Sequence, residues 1–248
     1  MEEGRKGVGH PSEIDLLALA PFPANNTAAI PGKNLFKSYL AMPRRHFAWI
    51  TRDGESFCEL PGSEVEVDQI AAAFTAQKAR STRYIGPQAT KTNFMNSAGT
   101  ARFVHLATHS FVNESSPTLS GIAFSSPSVK AGEHDDDTIL YAGEVYNLEL
   151  NADLVVLSSC ESGIGKLVKG EGMIALTRGF LYAGARNVMV SLWKASDQYA
   201  TELMPEFYRR VLGGESFSAA LRSAKLAFLK KNRNASPAMW GCFILYGR

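Results

Sequence analysis

The sequence predicts an α/β domain built on a mostly parallel sheet, and three observations carry that prediction. The compact apolar runs FVHLA at 103–107 and LVVL at 154–157 end in polar residues. Such runs read as central strands covered on both faces. Segments of helical periodicity alternate with the strand candidates, the pattern that parallel sheets with crossover helices produce. Hydrophobic residues make up 45% and charged residues 20% of the 248-residue chain, ordinary values for a chain that buries a substantial core.

In chain order, residues 14–20 (IDLLALA) form an apolar run closed by Pro21 and Pro23, a buried strand ended by prolines. Residues 47–51 and 56–60 flank Asp53-Gly54, a dipeptide suited to a tight hairpin turn. Residues 64–79 have helical periodicity, with Val65, Ile70, Ala73 and Phe74 near one face. Residues 83–85 are a weaker strand candidate, and 90–98 a short helix with Thr90 as its cap. After the two central runs comes an apolar helix at 173–183, stopped by Gly184. A strand at 187–192 and amphipathic helices at 197–212 and 216–230 follow, the helices separated by Gly213-Gly214. A last strand is expected at 243–246. Residues 110–151, rich in Ser, Pro, Asp and Gly, read as one long loop whose acidic run Glu133-His134-Asp135-Asp136-Asp137 is a solvated tip. Residues 112–138 and the Gly-rich 163–171 are expected to be the least ordered parts. One domain is expected over 14–248, with 1–13 a solvated tail or the remnant of a longer chain.

Composition narrows the function. Twenty-six basic against 24 acidic residues give a net charge of +2, which asks for neither nucleic acid nor an anionic membrane. No apolar run approaches the roughly 20 residues that span a bilayer, and the first residues lack a secretory core. Three cysteines, Cys58, Cys160 and Cys242, are too few and too scattered for a disulfide framework, so a reducing, cytoplasmic setting is expected. Cys242, inside WGCFILY, reads as a buried small hydrophobe; Cys58 lies in a hairpin arm. His105 and His109 form H-x-x-x-H, but the Glu of a zinc helix is missing and the run is strand-like. His105 therefore reads as a core residue or one supporting the site. The glycines near 163–172 do not make a phosphate loop, because Lys166 is followed by Leu167. No metal or cofactor is expected.

Chemistry concentrates at two strand ends. One run continues into Thr108-His109-Ser110, the other into Ser158-Ser159-Cys160-Glu161. Ligands of open α/β sheets bind at the carboxyl ends of parallel strands. If the two strands are neighbours, the imidazole can take the thiol proton and later protonate a leaving amine. Cys160, among small polar residues, suits an accessible thiolate better than a core position.

The stretches HLATHS at 105–110, LSSCESG at 157–163, GEGMIALTRGFLYAGA at 170–185 and VSLW at 190–193 stand in an order that resembles the CHAT family. These are caspase-like peptidases, found mostly in bacteria and often attached to tetratricopeptide repeats. The resemblance covers roughly 61–248. It implies a three-layer caspase-like sandwich, related to caspases, separases, legumains, gingipains and metacaspases, with a mostly parallel central sheet flanked by helices. It assigns the family's His and Cys to His109 and Cys160, and an oxyanion site to the backbone N–H groups of Ser110 and Cys160. The residue after the family's His is usually Gly; here it is Ser110. By the same resemblance Ser191, Leu192 and Trp193 meet the substrate backbone, and Glu161 or Asp197 lines the first specificity pocket, favouring Arg or Lys. Trp193 serves equally well as packing, and Asp197 as a helix cap. The implied function is an intracellular endopeptidase acting on protein substrates under a regulatory repeat domain or partner. The rival is a silent caspase-like scaffold.

Overall fold

The computed structural model describes residues 13–22, 49–50, 56–57, 59–113, 115–125, 138–158, 160–161, 171–193, 195 and 197–247. At 49–50, 56–57, 160–161, 171–172 and 197–198 it describes the backbone alone. Among the described residues twelve strands run in chain order: β1 (Ile14–Ala20), β2 (Trp49–Ile50), β3 (Ser56–Phe57), β4 (Ser81–Ile85), β5 (Ala101–Leu106), β6 (His109–Phe111), β7 (Gly121–Ala123), β8 (Ile139–Tyr141), β9 (Leu154–Leu157), β10 (Cys160–Glu161), β11 (Asn187–Ser191) and β12 (Phe243–Gly247). The helices are α1 (Pro61–Ala76), α2 (Lys91–Ala98), α3 (Ala142–Val145), α4 (Glu171–Tyr182), α5 (Asp197–Leu212), α6 (Phe217–Lys231) and α7 (Pro237–Trp240).

Six strands form the central sheet in the order β12-β11-β9-β5-β1-β4. All neighbours are parallel except β11 and β12. Strand alternation divides the core in two. Leu16, Ala18, Phe103, Leu154, Val156 and Met189 face α1, α5 and α6. Leu17, Leu19, Val104, Leu106, Val155 and Val190 face α2, α3 and α4. The result is helix, sheet, helix: the three-layer α/β sandwich with a mostly parallel sheet that the sequence predicts.

Local chemistry explains the boundaries. Pro61 opens α1, where a missing N–H costs nothing. Thr90 caps α2, its hydroxyl accepting from the Asn93 N–H at 3.1 Å. Gly184 ends α4 at φ +114°, and a Cβ there would collide with the Leu150 carbonyl oxygen. Ser216 caps α6. The expected hairpin survives as β2 paired antiparallel with β3; its turn, and Cys58, lie outside the described residues.

Two expectations are corrected. Residues 110–151 are not one long loop. They supply β6, β7, β8 and α3, and β6–β8 join β10 in a second sheet of order β10-β6-β7-β8. Within the stretch expected to be least ordered, Ile122 and Ala123 are buried; residues 126–137 and 162–170 lie outside the described residues. Strands of three residues are too short to show alternation, which is why composition misreads them. The second correction concerns Asp197. It is the first residue of α5 rather than the residue before the helix.

Candidate active site

The two candidate strand ends are neighbours, and their register is constant. Phe103 pairs with Leu154 and Leu106 with Leu157 in the central sheet, and His109 with Cys160 and Ser110 with Glu161 in the second. Each pair is separated by 51 positions, as is the Arg102–Asp153 ion pair that begins the ladder. The strands leave one sheet and enter the next without inserting a residue on either side. Two bonds hold the passage: the Ala107 N–H donates to Leu19 O at 2.9 Å, and the Ser158 N–H to Leu106 O at 2.9 Å. Thr108 adds a third, its hydroxyl donating to Ala123 O at 2.6 Å and fastening β6 to β7.

His109 is 2% exposed. The Phe22 ring lies against its imidazole, centroids 5.2 Å apart at 57°. Phe22 follows β1 and belongs to a small apolar cluster with Phe111, Ala123 and Ile139 under the second sheet. Ser110 is fully buried in β6. Cys160 and Glu161 are fixed through their backbone on β10, each beside its β6 partner.

The candidates for substrate contact split. Ser191 ends β11 and is buried, whereas Leu192 and Trp193 are 45% and 39% exposed. The Leu192 N–H donates to Cys242 O at 2.9 Å. The Trp193 indole N–H donates to Ala238 O at 2.7 Å, holding the ring against α7. Trp193 thus packs on one side and meets solvent on the other. Asp197 begins α5 four residues later.

Three features escape sequence reasoning. Glu66 on α1 meets His105 Nε2 at 3.0 Å, and the Tyr208 hydroxyl meets His105 Nδ1 at 3.3 Å. All three are essentially without solvent exposure. Burial, reinforced by the Glu66 charge, pushes the Tyr208 hydroxyl well above its usual range, so it stays protonated. The hydroxyl and Nδ1 share one hydrogen bond, and Nε2–H donates to the Glu66 carboxylate. His105 is thus buried in the core, one of the two roles expected for it. The second feature is Phe22, and the third is Ser158, whose buried hydroxyl has no hydrogen-bond partner among the described residues. No spacing signal exposes the first two, because their partners lie far along the chain. Among the described residues no cluster of His, Cys, Asp or Glu is arranged to hold a metal, and no helix is long and apolar enough to cross a membrane.

A helix–sheet–helix sandwich on a mostly parallel sheet is a caspase-like architecture. In keeping with that, the chain shares its fold with the structure titled "Crystal structure of the Arg specific cysteine proteinase gingipain R (RGPB)". The TM-score is 0.55 at 11% identity, over 96% of this chain and 48% of that one. Residues 18–248 match the CHAT domain, and the chain belongs to that family. It is 31% identical over 215 residues to human tetratricopeptide repeat protein 28 and 29% identical to the mouse protein. Each match covers 76% of this chain, which spans about 8% of the length of those relatives.

Proposed function

We propose that this domain is a cysteine endopeptidase with Cys160 as nucleophile and His109 as general base. The observation that carries the reading is the pairing of His109 with Cys160 on adjacent parallel strands, at the carboxyl edge of the sheet. Register partners belong to the same face of a pleated sheet. In the proposed reaction His109 takes the thiol proton and the thiolate adds to the scissile carbonyl carbon. The C–N bond then breaks as His109 passes the proton to the leaving amine. Water hydrolyses the thioester, His109 taking its proton. The N–H groups of Ser110 and Cys160 are the proposed oxyanion donors.

For the residue before the cut we propose Arg or Lys, with Asp197 as the recognising carboxylate. Positions 160 and 161 belong to opposite faces of a pleated strand. Leu154 and Val156, of the same parity as Cys160, face the layer that contains α5, and Asp197 begins that helix. This favours Asp197 over Glu161. Ser191, Leu192 and Trp193 are the proposed backbone contacts for the peptide. A tetratricopeptide repeat segment, in this chain's parent or in a partner, is the proposed regulator, by analogy with the names of the two relatives.

A second reading, a module that binds partners without turnover, draws on those same names, which describe repeats and no reaction. A fluorogenic peptide library varied at the residue before the cut separates the two. The enzyme reading expects turnover that Cys160→Ala and His109→Ala each lower by about a hundredfold or more, and Arg or Lys preference lost in Asp197→Ala. Absence of turnover, with no labelling by an Arg- or Lys-directed chloromethylketone, leaves the binding module.

A further inference from the structure

We infer that Phe22 is a positioning residue for His109: its ring walls one side of the imidazole and holds it in the orientation from which it serves Cys160. The inference rests on the dyad reading above. Phe22 lies only two residues beyond β1, in a segment that prolines exclude from regular structure. Even so, it is 7% exposed, its ring 5.2 Å from the imidazole. Its backbone is fixed independently, since Phe22 O accepts from the Leu60 N–H at 2.7 Å, at the entry to α1. Its ring is seated among Phe111, Ala123 and Ile139, and Phe111 is in turn braced edge-on by Tyr141. So α1, the end of β1 and the second sheet all converge on the placement of one ring, and that ring rests on the candidate base.

Two physical effects follow. A tilted ring contact restricts the imidazole to a narrow range of torsions, and general-base chemistry depends on that orientation. An apolar wall also withholds water from one face of the imidazole, disfavouring its charged form. Among the described residues, the titratable groups on the second sheet and at the entry to α1, besides His109 itself, are Cys160 and Glu161 on β10, Tyr141 on β8 and Glu59 before α1; Gly121–Ala123 of β7 carry none. A change at Phe22 alters none of them.

The test compares Phe22→Leu and Phe22→Tyr with the unaltered 248-residue chain. It measures kcat and KM on the best library peptide, thermal melting, and the pH midpoint of the His109 ring by NMR, assigned by its loss in His109→Asn. Phe22→Leu is expected to lower kcat by about tenfold with KM changed less than about twofold. Its imidazole midpoint should rise, because water reaches the ring. Phe22→Tyr, which keeps the ring, is expected to restore both. A kcat that falls only as far as the folded fraction falls, with an unmoved midpoint, overturns the inference. A wild-type chain without turnover overturns the peptidase reading instead, and the NMR midpoint alone then decides the role of Phe22.

Discussion

Glu66 shows how a single side chain can be misread and why it matters. On sequence, the inner face of α1 collects Val65, Ile70, Ala73 and Phe74. The structure turns the helix so that Glu66, Val67, Ile70, Ala71 and Phe74 are buried. The carboxylate enters because His105, in the middle of the sheet, presents an N–H that only an acceptor can satisfy. A charge in that position depends wholly on its partner. Glu66→Ala is expected to lose about 1–3 kcal/mol of unfolding free energy, since it leaves the buried imidazole N–H without an acceptor. Tyr208→Phe removes one neutral bond and is expected to cost about 1 kcal/mol. Urea unfolding of the two variants checks both values, and equal small losses would contradict the bonding pattern assigned here. The residue-level lesson is asymmetric: His109 and Cys160 are legible because the apolar runs that carry them stop at a polar edge, whereas Glu66, Tyr208 and Phe22 reach their partners only through tertiary packing.

The elements divide along similar lines. Long central strands and amphipathic helices announce themselves through period and caps, and β1, β5, β9, β11, α5 and α6 fall within a few residues of expectation. The strands β7 and β8 do not, because three residues carry no period and their apolar character is diluted by polar neighbours. Their packing is nonetheless tight. A Cβ on Gly121 would stand 2.7 Å from the Ile139 side chain and 2.8 Å from the Phe111 ring. Gly121→Val is therefore expected to push β7 away from both neighbours, destabilising the chain by about 1–3 kcal/mol through overpacking. Because Phe111 packs with Phe22, the same change should loosen the contact between Phe22 and His109. Hydrogen exchange across β6, β7 and β8, compared with β5 and β9, measures this directly: faster exchange confined to the second sheet is the expected result, and uniform acceleration would argue for global destabilisation.

For the molecule as a whole, buried titratable groups make stability depend on alkaline pH. Burial pushes the Cys242 thiol up to about 11, from an ordinary value of 9.0. Tyr208 and Tyr199 are raised too, chiefly by burial. A group whose folded pKa is raised contributes stability that is complete below its unfolded pKa and is lost as pH climbs through the folded one. Lys225, lowered chiefly by burial, works the other way: the penalty of burying its charge is relieved as pH rises toward its ordinary value of 10.5. Above that value, of these four groups, the thiol and phenol contributions alone remain, so the urea midpoint should fall steeply there. Cys242→Ala should make that fall shallower, and an unchanged slope would show that the thiol ionises as freely in the fold as out of it.

The constant separation of 51 positions between the His-bearing and Cys-bearing strands also bears on how such a domain tolerates change in length. Between Phe111 and Leu154 the chain can gain or lose residues in its connections, and the pairing of 109 with 160 is untouched. Within 101–111 or 154–161 there is no such freedom. A single residue gained or lost there moves every later position of that strand to the opposite face, breaking the register of 109 with 160 while leaving both residues in the chain. Lengthening between the strands is a route to new surfaces, whereas a one-residue slip inside either strand is a route to a domain that lacks the proposed activity and still reads, motif by motif, as complete.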